Sequence, residues 1–158
     1  MFKGFTCLVI FSLWCAAGSV AANALPGAPI TRVIDRAHAL LGTPYNGSGS
    51  GNSVGQGFDC SGLLVYLFKT EANIRLPRTT TQMHRSSAAT VQRAALKPGD
   101  AVFFKGNGSG QISHVGLYVG KGKFIHSPST GKRVRIDSLS SRYWKKHYTT
   151  AKRFHAAG

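Results

Sequence analysis

Acidic residues are scarce in this chain. Five Asp and Glu stand against 20 Lys and Arg, a formal net charge of +15 in 158 residues. Little on the surface can neutralise that charge, so the chain attracts polyanions: nucleic acid, anionic lipid headgroups or acidic cell-wall polymers. Long hydrophobic runs are also missing. The longest, Phe5 to Ala17, is too short to span a bilayer comfortably. Cysteine is limited to Cys7, Cys15 and Cys60, too few for a disulfide scaffold. No internal repeat is present, which excludes a solenoid. The basic stretch lacks interleaved aromatics, so it makes no stacking platform for single-stranded nucleic acid.

What is present starts with an export signal. Lys3 precedes the apolar run, small residues follow, and Ala22-Asn23-Ala24 fits an A-x-A cleavage site. Residues 1–24 are read as a secretory signal peptide and 25–158 as one domain. Trp14 is too bulky for the residue before a lipidated cysteine, which argues against an anchor at Cys15. Cleavage removes Cys7 and Cys15 and leaves Cys60 alone. An unpaired thiol in an exported chain is an intermolecular bridge or a reactive group. Export also argues against nucleic acid as the polyanion and for the envelope. Between Lys121 and Arg153 lie ten basic residues and one acid, Asp137.

Apolar content is 42%, enough for one modest core. Ile30, Val33, Ile34, Ala37, Leu40 and Leu41 form one stripe, predicting a helix over 29–41 that Gly42 stops. Residues 46–57 are a Gly/Ser-rich loop. Asp59 is a strong N-cap and opens a second helix buried through Leu63, Leu64, Leu67 and Phe68. A weaker helix is expected over 80–87. Leu96 to Asp100 is turn chemistry, followed by strands over 101–104, 112–119, 123–127 and 133–136. A helical turn over 139–144 and a strand over 149–154 complete the chain. Helices first and an antiparallel sheet after define an α+β fold.

Cys60 sits at the first turn of the second helix, where backbone N–H groups favour the thiolate. A histidine in reach would take its proton. His114 is the candidate base, on the same strand face as Gly116 and Tyr118. His126 lies on the next strand, and the connecting loop decides its face. A two-residue turn at Lys121-Gly122 would pair 117 with 126 and separate the histidines. A three-residue loop, Gly120 to Gly122, would pair 116 with 126. The imidazoles would then sit on one face, a diagonal of about 7 Å apart. The three-residue loop is expected, with His126 orienting His114 as a neutral third member. Activity should then fall at acid pH as the histidines protonate. Cys60, His114 and His126 match no compact zinc spacing, and no metal or cofactor is expected. His38, His84, His147 and His155 are read as surface residues.

Leu41-Gly42-Thr43-Pro44-Tyr45, Phe58-Asp59-Cys60-Ser61-Gly62, Leu76-Pro77-Arg78, Leu96-Lys97-Pro98-Gly99-Asp100, His114-Val115-Gly116-Leu117-Tyr118 and Phe124-Ile125-His126 occur in that order. Together they resemble the NlpC/P60 cysteine peptidases, which have a papain-like core. The short form is similar to the Spr-type murein endopeptidases. The resemblance implies a periplasmic or secreted enzyme that hydrolyses amides of peptidoglycan stem peptides. It makes Cys60 the nucleophile, His114 the base and His126 the third polar residue. It places Tyr45, Asp59 and Ser61 against substrate. Asn46-Gly47-Ser48-Gly49 departs from the family's usual loop after the tyrosine. Peptidoglycan is the expected partner of a monomeric domain, with anionic envelope polymers or lipid headgroups beside it and no nucleic acid. Two other readings compete. One is an amidase or acyltransferase on a non-wall substrate. The other is a non-catalytic basic module that binds wall.

Overall fold

The structure is a computed structural model that describes residues 28–48, 54–108 and 110–155. The expected signal peptide, Cys7, Cys15 and part of the Gly/Ser loop lie outside the described residues. Among the described residues, no helix is long and apolar enough to cross a membrane.

Helix α1 spans Pro29–Ala39, with Pro29 in its first turn, where a missing N–H costs nothing. Val33, Ala37 and Leu40 of its stripe are buried. Helix α2, Cys60–Ala72, packs beside it. The Asp59 carboxylate accepts from the Gly62 N–H at 2.6 Å, the cap expected of it. Asn73 ends α2 in the left-handed conformation, φ 54. Helix α3, Thr80–Arg85, is short but carries a full capping box between Thr79 and Gln82.

Strands β1 (Ala89–Val91), β2 (Ala101–Lys105), β3 (Ile112–Gly120), β4 (Lys123–His126), β5 (Arg135–Ser138) and β6 (Tyr148–Arg153) follow, with helix α4 (Arg142–His147) between the last two. They make one antiparallel sheet in the order β1-β6-β2-β3-β4-β5. The α+β expectation therefore holds. Strand β1 was not expected, because Ala89–Val91 is too short to show a pattern. Strand β5 begins two residues later than expected.

Alternation gives the sheet two packed faces. Ala101, Phe103, Val115, Leu117 and Ile125 meet α1 and α2. Val102, Phe104, Phe124 and Ala151 build a second core with Trp144 of α4 and Tyr148. His38 is exposed as expected, but His84, His147 and His155 are partly buried. His84 stands edge-on to Phe103, and His155 lies 3.6 Å from the buried Asp100 carboxylate.

Candidate active site

The β3–β4 hairpin decides the site, and it does so by a route other than the expected loop. The turn has two residues, Lys121 and Gly122, both at positive φ (52° and 71°), as a type I′ turn requires. Gly120 pairs with Lys123, yet Tyr118 pairs with Phe124 and Leu117 with Ile125. A bulge at Val119-Gly120 absorbs the extra residue, with Gly120 at φ 96°. The register beyond it is the one that sets His126 diagonal to His114. The two-residue turn does not separate the histidines, because the bulge resets the pairing.

His114 Nε2 lies 2.7 Å from His126 Nδ1. His126 Nε2 lies 2.7 Å from Asp137 Oδ2, which also accepts from Arg135 Nε at 2.8 Å. Asp137 is thus a further member behind the expected third residue. It faces His126 because β5 sets Asp137 opposite Phe124 and Arg135 opposite His126. Its carboxyl is pushed up by burial, but hydrogen bonds from Arg135 and His126 outweigh this and hold it below the usual range.

The network fixes the tautomers. A carboxylate only accepts, so His126 donates through Nε2 and its Nδ1 accepts. His114 then donates through Nε2, and its Nδ1 carries the lone pair. Phe104, Phe124 and Trp144 enclose the two rings, with Trp144 stacked on His114 at 5.6 Å and edge-on to His126 at 4.9 Å. Burial in this aromatic box, and then the neighbouring His126, lower the His114 pKa to about 3. Burial lowers His126 to about 4, with Asp137 opposing. Both imidazoles are neutral at neutral pH.

Gly116 makes this packing possible. A Cβ there would lie 2.7 Å from the Phe124 ring and 3.2 Å from His126 Cβ. An alanine would drive into both side chains.

Cys60 is half-buried at the start of α2, as expected. Several ties bring its segment to the sheet end that carries the histidines. The buried Ser127 hydroxyl, next to His126, donates to the Phe58 carbonyl at 2.7 Å. Phe58 N–H donates to the Pro44 carbonyl, and Tyr45 N–H to the Lys132 carbonyl just before β5. Gly57, at φ 75°, permits this approach, since a Cβ would sit 2.4 Å from the Pro44 oxygen. Helices α2 and α3 both pack on β3. The sulfur itself faces Thr80 Oγ1 at 3.3 Å. No hydrogen bond joins it to His114 among the described residues.

Tyr45, Asp59 and Ser61 gather at the same helix end. Burial, and then the Cys60 and Asp59 charges, push the Tyr45 phenol up. Arg78 donates to both Asp59 oxygens at 3.2 and 2.9 Å and to Ser61 Oγ at 2.9 Å. The Asp59 charge beside the thiol is therefore matched by a guanidinium. Arg78, Thr80, Ser127 and Asp137 carried no assigned role in the sequence. Arg78 ends the motif Leu76-Pro77-Arg78, and Asp137 is the lone acid of the basic stretch; these were the available signals.

A thiol at a helix N-terminus, set against an antiparallel sheet that carries a hydrogen-bonded histidine pair, is a papain-like arrangement. The NlpC/P60 family model matches residues 42–153, and the chain belongs to that family. It is 51% identical over 114 residues to Murein DD-endopeptidase MepH of Escherichia coli K12, covering 72% of this chain and 41% of that one. It is 39% identical over 126 residues to the Probable endopeptidase YafL of the same organism, covering 78% and 50%. The chain thus spans about half the length of these relatives, or less. An NlpC/P60 family protein from Bacillus cereus superposes with a TM-score of 0.71 at 32% identity, covering 79% of this chain and 40% of the other.

Proposed function

We propose that the chain is an exported thiol hydrolase that cuts amide bonds in peptidoglycan stem peptides through an acyl-enzyme. The observation that carries this reading is the hydrogen-bonded series His114–His126–Asp137, at the sheet end where α2 presents Cys60. Likeness to a murein DD-endopeptidase supports the substrate class. On this reading residues 1–24 are removed on export, leaving 25–158 as the catalytic domain, and the short, single-domain form is what supports grouping it with the Spr-type murein endopeptidases. The basic surface holds the enzyme on the anionic wall.

Cys60 is the nucleophile. Thr80 holds the sulfur at rest, and the side chain turns toward the substrate carbonyl as it attacks. His114 Nδ1 takes the thiol proton. The resting imidazole is neutral, so this is a general-base step. Cys60 Sγ bonds to the carbonyl carbon, the amide C–N bond breaks, and His114 returns the proton to the departing nitrogen. Water then releases the acid and frees the thiol. His126 and Asp137 are positioning residues that keep the His114 lone pair on Nδ1. The Cys60 backbone N–H, in the first turn of α2, is placed to stabilise the oxyanion. The Tyr45 hydroxyl assists there or orients substrate. Asp59 and Ser61, braced by Arg78, contact the acyl portion.

Digestion of purified sacculi with analysis of the released muropeptides by mass spectrometry tests this. The wild type releases new amino groups, and Cys60→Ala releases none while keeping its fold. Equal release by the variant would reject the mechanism.

A further inference from the structure

A cavity of about 540 Å³ opens beside His114. Lys105, Arg135, Thr130, Tyr143 and Trp144 are among its walls, and among the described residues neither Cys60 nor any acidic side chain lines it. Lys105 is exposed at the end of β2. Arg135 is held in place: Nε donates to Asp137 at 2.8 Å and Nη1 to the Thr130 carbonyl at 3.3 Å. Gly131, at φ 88°, leaves the space it occupies, since a Cβ there would lie 2.5 Å from Nη1. The Asp137 oxygen that Arg135 meets is shared with His126. The cavity is therefore cationic over an aromatic wall, with Tyr143 edge-on to Trp144 at 4.8 Å.

His114 lines the cavity and Cys60 does not. Tyr45, Asp59, Ser61 and Arg78 gather instead at the helix end that carries the sulfur. In an acyl transfer the acyl group stays on sulfur, and the departing nitrogen takes its proton from His114. Substituents on that nitrogen therefore fall where His114 forms a wall and the sulfur does not.

We propose that this cavity is the leaving-group subsite, and that it takes a free carboxylate carried by the amino acid whose amine departs. A planar guanidinium and an ammonium around one opening suit a carboxylate. The assignment rests on the acyl-enzyme reading above. It adds the charge and chemical class of the group on the far side of the scissile bond.

Two synthetic peptides built on the bond found cut in sacculi test it. They differ only in whether the carboxyl of the leaving amino acid is free or a carboxamide. The wild type should favour the free acid by about tenfold in kcat/KM. Lys105→Gln and Arg135→Gln should each bring that ratio toward unity, and Lys105→Arg should keep it. Among the described residues no hydrogen bond or ion pair joins Lys105 to the histidine series, so its variants separate charge from positioning. Equal kcat/KM for the two peptides in the wild type would overturn the subsite and leave the peptidase reading standing. So would a ratio that neither Gln variant changes. Cleavage of either peptide by Cys60→Ala at the wild-type rate would remove the acyl-enzyme reading and the subsite with it.

Discussion

Asp137 is a hydrogen-bond acceptor only at neutral pH, and that property reaches two residues away. It leaves His126 one way to face it and His114 one way to face His126. An amide at 137 could instead donate to His126 Nε2 and reverse both rings, placing a proton on His114 Nδ1. Asp137→Asn should therefore fold normally and lose about 10- to 100-fold in kcat/KM. That is less than the ~10⁴ that follows when the directly bonded aspartate of a Ser-His-Asp triad is replaced. Steady-state rates on muropeptides, with circular dichroism as the fold check, decide it; a rate within twofold of wild type would remove Asp137 from the mechanism. His126→Ala should cost less than His114→Ala, because orientation is a weaker contribution than proton transfer.

The same histidines make stability pH-dependent. In the unfolded chain each imidazole takes its proton near pH 6.5. In the fold His126 resists to about 4 and His114 to about 3. Between those limits the unfolded state binds more protons, so stability falls as pH drops through them. Above pH 6.5 both states hold neutral rings and the difference vanishes. For His126 alone the loss is on the order of 3 kcal/mol by pH 4. Thermal melts should show a Tm that declines steadily below pH 6.5. A flat Tm from pH 6.5 to 4 would contradict the buried neutral pair.

At the level of elements, the hairpin shows how far the sequence reaches. The expected pairing of 116 with 126 agrees with a register that sets Leu117 opposite Ile125. The three-residue loop meant to produce it is absent. Turn and bulge are interchangeable ways of absorbing one residue, and the pattern Gly120-Lys121-Gly122 fits both. Strand β5 was placed over 133–136, which left Asp137 just outside it. Arg133 and Val134 make an edge bridge and hydrogen bonds to residues 42–44 instead of ladder pairs, and local pattern carries no mark of that. The positions of α1, α2 and α3 were legible because caps and stripes are local signals; α4, which has no side-chain cap, begins three residues later than expected. Contacts such as Cys60–Thr80 and Ser127–Phe58 join residues 20 and 69 apart and leave no periodic trace.

The bulge makes a prediction of its own. Deleting Gly120 removes the extra residue and leaves Tyr118 opposite Phe124, so the histidine pair and hydrolysis should survive within about tenfold. Gly120→Val keeps the extra residue and strains it at φ 96°, costing about 1–2 kcal/mol of stability. Gly116→Ala should lower both stability and activity, since its Cβ would press first on the buried Phe124 ring and then on His126. Denaturant melts and rates on muropeptides check all three. A dead deletion variant would mean that this register is not what aligns the site.

Across the whole molecule, the scarcity of acids has a second side. Four of the five are committed to internal partners: Asp59 to Arg78, Glu71 to Arg36, Asp100 to Arg153, and Asp137 to Arg135 and His126. Few acids remain to offset the exposed Lys121, Lys123, Lys132, Arg142, Lys145 and Lys146. Binding to the wall should therefore be electrostatic and screened by salt. The inactive Cys60→Ala protein should cosediment with sacculi at 0.1 M salt, where the Debye length is about 10 Å, and be released at 1 M, where it is about 3 Å. Retention independent of salt would point to a different mode of attachment.

In the proposed mechanism Cys60 and His114 work as one unit. The rate of alkylation by iodoacetamide at pH 6.5, in wild type and in His114→Ala, measures that coupling directly. The wild-type thiol should be alkylated at least about tenfold faster than a cysteine in an unstructured peptide, falling to the peptide rate when the imidazole is removed. Equal rates in the two proteins would contradict it.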